Sequence, residues 1–210
     1  MMVSTSVQRT RRREQRENTR REILAAADAF LREHPYRELS VDVLMADTGL
    51  TRTAFYRHFD DITELVLKLL EDIGAELFEV AARWRQMSGR EYPEPARAAL
   101  EAIVDFFTRN GPVVRAVADA AATDERIERG YRGAIEAFIA VVAAGLDALI
   151  ARGQLRPFDT HAVSRALNLM NEAYLLDQFG SEPFGDPEVA VRTLERVWLG
   201  TLGPVAIPPK

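Results

Sequence analysis

The sequence predicts an all-α protein, and three observations carry that reading. Apolar residues recur at spacings of three and four along most of the 210-residue chain, whereas the period-two alternation of strands is scarce. Helix-starting Ser, Thr and Asp alternate with helix-ending Gly and Pro in the order that short connected helices require. Cysteine is absent, so no disulfide or Cys-based zinc site holds the fold, and thiol catalysis and thiol redox sensing are excluded.

Met1 to Arg16 is polar and Arg-rich with nothing apolar to bury, and reads as a flexible arm. The first helix is expected to start at Thr19-Arg20-Arg21-Glu22, where Thr and Glu can satisfy each other's free amides as a capping box. Ile23, Leu24, Ala27, Phe30 and Leu31 give it one apolar stripe, and Pro35 ends it. Ser40 has the form of an N-cap for a short helix carrying Val41, Val43, Leu44 and Met45. Gly49 can take the left-handed conformation of a tight turn, after which Thr51 caps a second short helix from Arg52 to about Phe59.

Asp60 and Asp61 precede a long helix from Ile62 to about Gln86, placed at its positive end. Met87 to Pro95 reads as a loop and a candidate domain boundary. Five helices are expected beyond it, over about Glu94–Asn110, Pro112–Ala122, Asp124–Arg152, Asp159–Phe179 and Asp186–Leu202. Asn110-Gly111-Pro112, Thr123, Gly153 to Pro157 and Gly180 to Gly185 separate them.

The formal charge of -5 is the sum of opposed parts. Met1 to Arg21 holds seven Arg and two Glu, and the remainder 20 basic and 30 acidic residues. The basic start is not followed by the apolar run of a secretory signal. The longest strongly apolar uncharged run, Ala137 to Leu146, is far short of the ~20 residues that span a bilayer, so a cytoplasmic protein without a membrane partner is expected. No phosphate-binding glycine loop and no HExxH occurs, and His34, His58 and His161 lack ligand-like spacing. Neither an enzyme nor a metal or cofactor is therefore expected.

Ser40 to Phe59 has the length and punctuation of a helix-turn-helix. Phe55 and Phe59, four apart, can face inward while Arg52, Thr53, Tyr56 and Arg57 point outward. On spacing alone, a helical hairpin with a solvated basic face fits as well. The string Gly49-Leu50-Thr51-Arg52-Thr53-Ala54-Phe55-Tyr56-Arg57-His58-Phe59, within Thr19–Leu65, resembles the DNA-binding domain of the TetR/AcrR family of bacterial transcriptional regulators. The resemblance implies that Thr51 caps the recognition helix and touches a phosphate, and that Arg52 and Thr53 lie near base edges. Tyr56, Arg57 and His58 are implied as positioning contacts, with Arg20 and Arg21 as further phosphate contacts. Two departures stand out. Asp60-Asp61-Ile62 replaces a segment that usually carries a phosphate-gripping lysine, a loss the arginine arm can offset. Met45 stands where a small alanine is usual, so the two short helices are expected to cross less closely.

The resemblance divides the chain into the arm 1–16, a DNA-binding domain 17–64, an effector-binding and dimerisation domain 65–203 and a tail 204–210. In the second domain, Asn168 and Asn171 share a helical face with Leu175 one turn on. Such amides fit solvent exposure, core hydrogen bonding or the wall of a ligand channel. The string Leu167-Asn168-Leu169-Met170-Asn171, with Trp198, is similar to a mycobacterial branch of the family, the regulators of ethionamide activation. That similarity implies a channel lined by Phe106, Tyr131, Ile135, Phe138, Val142, Asn168, Asn171, Leu175 and Trp198, several of them smaller than is usual there. A packed core without a cavity is the competing reading. The stripe Val191, Leu194, Val197, Trp198, Thr201 and Leu202 could face a partner subunit or the protomer's own core.

The expected function is a homodimeric repressor, paired through its last two helices, on a palindromic double-stranded DNA operator. A small apolar or amphiphilic effector would release it, and no anionic effector is expected because the implied lining contains no Lys or Arg. An activator, a regulator without small-molecule input, and a helical carrier or interaction module that has lost DNA binding are the alternatives.

Overall fold

The computed structural model describes residues 3–86 and 94–203, and these form an all-α protein. Eight α-helices are described: α1 (Val3–Glu33), α2 (Val41–Thr48), α3 (Arg52–Tyr56), α4 (Ile62–Gln86), α5 (Glu94–Ala121), α6 (Glu125–Ala151), α7 (Thr160–Phe179) and α8 (Pro187–Leu202), with a 3-10 turn at Tyr36–Glu38. Most of the expected Met87–Pro95 loop and the 204–210 tail lie outside the described residues.

Local capping chemistry sets most helix starts. Ser40, Thr51, Asp124, Asp159 and Asp186 each stand in extended backbone and accept a bond from a backbone N–H of the first turn. Between α2 and α3, Gly49 has φ 68°, a left-handed conformation that costs a glycine little.

Two expected boundaries are corrected. The first helix starts at Val3, so the residues read as an arm continue it, and Thr19 lies mid-helix. Thr19 does not cap but bonds the Gln15 carbonyl through its hydroxyl at 3.1 Å. No Gly or Pro interrupts Val3–Glu33, and extending an existing helix through Arg, Gln and Glu costs little. Likewise Asn110-Gly111-Pro112 does not separate two helices, because Pro112 lies inside α5. Gly111 is there for proximity: a Cβ on it would stand 2.1 Å from the Phe179 carbonyl oxygen, so the end of α7 packs directly on α5.

α1, α2 and α3 form the small N-terminal unit, and α4 leads from it into a bundle in which α5 touches α1, α4, α6, α7 and α8. One apolar core runs through both parts. Ile23, Leu24 and Leu31 of α1 meet Leu44 and Met45 of α2, Phe55, Phe59, and Leu65 and Val66 of α4. Each large side chain buried there contributes about 1.5–3 kcal/mol. α6 is by length and composition apolar enough to cross a bilayer, although its longest uncharged run is short; here its apolar side packs on α4, α5 and α7.

The stripe on α8 also finds its use. Val191, Leu194, Trp198 and Leu202 are buried within the protomer, while Thr201 is exposed. The outer surface of α7 and α8 carries charged residues, among them Arg165, Glu188, Arg192 and Arg196, beside a small apolar stripe. Ala162, Ala166, Leu169 and Ala173 are exposed along one side of α7, with Val189 on α8 and Phe184 between the helices.

Candidate functional site

The polar face of α3 is built by its opposite side. Phe55 and Phe59 are sealed in the core, with ring centroids 5.6 Å apart, which turns Arg52, Thr53, Tyr56 and Arg57 to solvent. Thr51 is exposed, and its side-chain oxygen accepts from the Ala54 N–H at 3.2 Å. One guanidinium nitrogen of Arg52 bonds both carboxylate oxygens of Asp42 on α2, at 2.7 and 2.8 Å, so the side chain is held across the mouth of the turn. His58 is half-buried. Burial first, then the charges of Arg16 and Arg20, hold its imidazole below the ordinary value.

The N-terminal extension of α1 lies beside this face. Arg12, Arg16, Arg57 and His58, with Gln15 and Thr19, line an open cleft, and Arg16 donates to the Arg57 carbonyl at 3.4 Å. Arg20 sits over the Phe59 ring at 5.7 Å, and Arg21 donates to Asn18. Arg20, Arg57 and His58 are thus grouped with the arm's arginines on one basic surface, although Arg20 and Arg21 are not in the cleft lining.

Of the two aspartates that depart from the usual pattern, Asp61 has its carboxylate bonded into the structure, while Asp60 is exposed. Asp61 accepts from the Glu64 N–H at 2.7 Å and pairs with Arg126 at the start of α6 at 2.6 Å. Asp60 is tied through its backbone, its N–H donating to the Glu64 carboxylate at 2.6 Å. Next to them Thr63 donates to Asp124 at 2.7 Å. Burial pushes Asp61 upward, but the Glu64 N–H and the Arg126 guanidinium outweigh it and hold the carboxyl below its ordinary value. Asp124 is lowered too, because the Thr63 hydroxyl and the Ile127 and Arg126 amides outweigh burial. The N-terminal ends of α4 and α6 are therefore bonded together where the small unit meets the bundle.

Deeper in the bundle, α4, α5, α6 and α7 line an apolar cavity of ≈ 90 Å³. Of the residues implied as its lining, Phe106, Tyr131, Ile135, Phe138, Asn168 and Asn171 line it. Val142, Leu175 and Trp198 do not: all three are buried among the apolar core residues rather than facing the cavity. Trp198 acts one layer back, its indole N–H donating to Asn171 Oδ1 at 3.1 Å. The wall also includes residues that sequence reasoning did not place in it. Leu70, Ile73, Gly74, Leu77 and Phe78 bring α4 into it, and Glu172 adds a carboxylate. Tyr131 donates to Glu172. Burial and then the facing Glu172 charge push the Tyr131 phenol far above its ordinary value, so it remains a donor.

The profile of the tetR family of bacterial regulatory proteins matches residues 23–69, and that of the C-terminal domain of the transcriptional regulator EthR matches residues 96–202. The HTH-type transcriptional regulator EthR of Mycobacterium tuberculosis is 30% identical over 185 residues, 86% of this chain and 85% of that protein. This chain belongs to the TetR family of transcriptional regulators. EthR of Mycolicibacterium smegmatis is likewise 30% identical, over 86% of this chain and 84% of its own. A TetR-family regulator from Syntrophomonas wolfei has the same fold, with a TM-score of 0.76 at 14% identity, covering 91% of this chain and 98% of its own. TetR-family chains are DNA-binding regulators rather than enzymes, and the described residues contain no cluster of His and acids able to hold a metal.

In this TetR-family chain the missed α4 wall had one available signal. Leu70, Ile73, Gly74 and Leu77 fall at helical spacing on one side of α4. That pattern reads as core until α6 is seen opposite it. Glu172 was legible only as a polar neighbour of Asn171, since nothing local shows that Tyr131 lies against it.

Proposed function

We propose that the chain is a homodimeric repressor whose two α3 helices read successive major grooves of a palindromic operator, and that an apolar or amphiphilic effector in the bundle cavity releases it. The observation that carries this reading is the double role of α4. Its first turns, through Leu65, Val66 and Leu69, pack in the core shared with α1, α2 and α3. Its middle, from Leu70 to Phe78, forms one wall of the cavity. A ligand that widens the cavity displaces the same rigid element on which the reading unit sits. Release requires the ligand to prefer the displaced arrangement, since equal affinity for both shifts nothing.

Residues 17–64 act as the reading unit in this account and residues 65–203 as the effector and dimerisation unit. Arg52 and Thr53 read bases; Thr51, Tyr56, Arg57, His58, Arg20 and Arg21 position the backbone. Arg12 and Arg16, beside α3 on the extended α1, add phosphate contacts. The dimer forms on the exposed small apolar side of α7 and α8, where Ala162, Ala166 and Ala173 let a partner helix come close around Leu169 and Val189. Two-fold symmetry then places the α3 helices about 34–36 Å apart, one turn of the duplex.

The test is fluorescence anisotropy on DNA taken from upstream of the chain's own gene, with sedimentation of the free protein. Expected are a dimer at micromolar concentration and sequence-specific binding that falls with salt. A monomer that binds all sequences alike contradicts the proposal.

A further inference from the structure

The cavity between α4, α5, α6 and α7 combines polar residues with an apolar surface, and the hydrogen bonds explain how both hold. Tyr131, Asn168, Asn171 and Glu172 stand in its wall, yet almost all the surface shown to the cavity is carbon. Asn168 and Asn171 are only 7% and 2% exposed. The Ser164 carbonyl can only accept, so the Asn168 amino group turns to it, at 2.7 Å and back along α7. The Trp198 indole can only donate, so the Asn171 oxygen turns to it, at 3.1 Å and toward α8. Tyr131 donates to Glu172, so phenol and carboxylate meet each other. These groups bond to the protein and offer a guest little but their carbon atoms.

What faces a guest is Leu70, Ile73, Leu77, Phe78, Phe106 and Phe138. A hydroxyl, ammonium or carboxylate brought among them leaves its water behind and finds no partner in exchange. For a hydroxyl that loss is worth about tenfold or more in affinity. A hydrocarbon surface loses nothing there and gains the contacts. Size is bounded as well. An apolar cavity of about 150 Å³ holds one benzene ring, and this one, at ≈ 90 Å³, is smaller. A ring therefore fills it to the point where the wall must give. The α7 side is braced from behind, by the Trp198–Asn171 bond and by the Phe179 carbonyl seated against Gly111. On the α4 side Leu70, Leu77 and Phe78 are only half-buried, so α4 is the wall that moves.

Resting on the effector reading above, we infer that the effector is an uncharged apolar molecule without a polar head, about the size of one aromatic ring, and that the asparagine pair frames the wall rather than contacting the ligand. The amphiphilic half of that reading drops out, and the displacement of α4 follows from the guest's bulk alone.

The test compares four ligands on one carbon skeleton, ethylbenzene, 2-phenylethanol, 2-phenylethylamine and phenylacetate, at neutral pH. Binding to the full chain is read by calorimetry, and release of the bound operator by anisotropy. Expected is ethylbenzene tighter than 2-phenylethanol by about tenfold or more, with the two charged ligands weakest. Asn168→Leu should leave that order as it is, because the amide has no ligand contact to lose. Gly74→Leu should weaken ethylbenzene by more than about tenfold, because the new side chain takes the ligand's room. If 2-phenylethanol or a charged ligand binds as tightly as ethylbenzene and releases the operator, the headless class is overturned and the effector reading stands. Weakening of the alcohol alone in Asn168→Leu overturns the framing role of the asparagine. Ethylbenzene binding that survives Gly74→Leu at full strength overturns the assignment to this cavity. Ethylbenzene binding without release of the operator overturns the effector reading and leaves the cavity's ligand class standing. Binding of none of the four overturns both.

Discussion

The start and the middle of α4 face opposite problems. At its start, the reading surface leaves Arg52, Thr53, Tyr56 and Arg57 exposed to water, where a charge costs little and even the Arg52–Asp42 pair is a weak hold that a phosphate or a base can replace. At its middle, the cavity holds two buried asparagines with half of each amide bonded to the protein, beside a carboxylate met by one phenol. Charge on the outside is cheap and plentiful, whereas each polar group inside must be matched. Changes on the reading surface should therefore grade affinity, and changes in the cavity should switch response on or off.

The largest expected effect separates the two regions outright. Phe55 is fully buried under α3, so Phe55→Ala should cost about 3–5 kcal/mol in the reading unit. Loss of DNA binding with ligand binding retained, read by calorimetry, would show that the cavity folds without the reading head's core. Loss of both would show one cooperative unit.

Next in size is Gly74, which lines the cavity with nothing within 4 Å of where its Cβ would stand. Gly74→Leu should fill that space, keep DNA binding, and raise the effector concentration for release by more than about tenfold, the scale of a single methylene's misfit in an apolar pocket. Gly74→Ala should instead raise stability by about 0.5–1 kcal/mol in thermal unfolding, as alanine does in a helix interior.

Smaller again are single contacts on the reading surface. Arg52→Ala should cost about 1–3 kcal/mol against the preferred base and little against others. Removing the charges of Arg11, Arg12 and Arg13 should weaken all sequences together and flatten the salt dependence by about 0.9 for each phosphate no longer neutralised. Uniform effects from both changes would remove the division between reading and positioning.

The smallest is a pH effect from His58, which burial and the Arg16 and Arg20 charges depress in the free protein. A phosphate beside it favours the imidazolium, so DNA binding takes up a proton. Affinity should then rise as pH falls through the window between the depressed free value and the higher bound one. His58→Gln should remove that slope. The free fold behaves oppositely, since a depressed histidine makes the folded state lose stability at low pH.

The legible parts of the fold were those with local causes. Ser40, Thr51, Asp124, Asp159 and Asp186 cap helices wherever they stand, because a cap needs only its own first turn. Thr19 failed for the same reason: a threonine that bonds the carbonyl four residues back reads identically to one that caps. Gly111 and Pro112 read as a break because the contact that uses Gly111, the Phe179 carbonyl, lies 68 positions away. The cavity shows the same limit. The asparagine pair was visible, but Trp198 behind it and Glu172 beside it take their places from the packing of α7 against α6 and α8.

The central claim is that cavity occupancy moves the reading heads through α4. The absence of cysteine allows one to be placed alone at exposed Ala46 on α2 and spin-labelled in the full chain. The distance between the two labels of the dimer is then measured by pulsed electron resonance, with operator DNA and with an apolar ligand that calorimetry shows to bind. Expected is one distance on DNA and a shift of several ångströms when the ligand is bound. The same distance distribution in both, with ligand binding shown in parallel, would contradict coupling through α4.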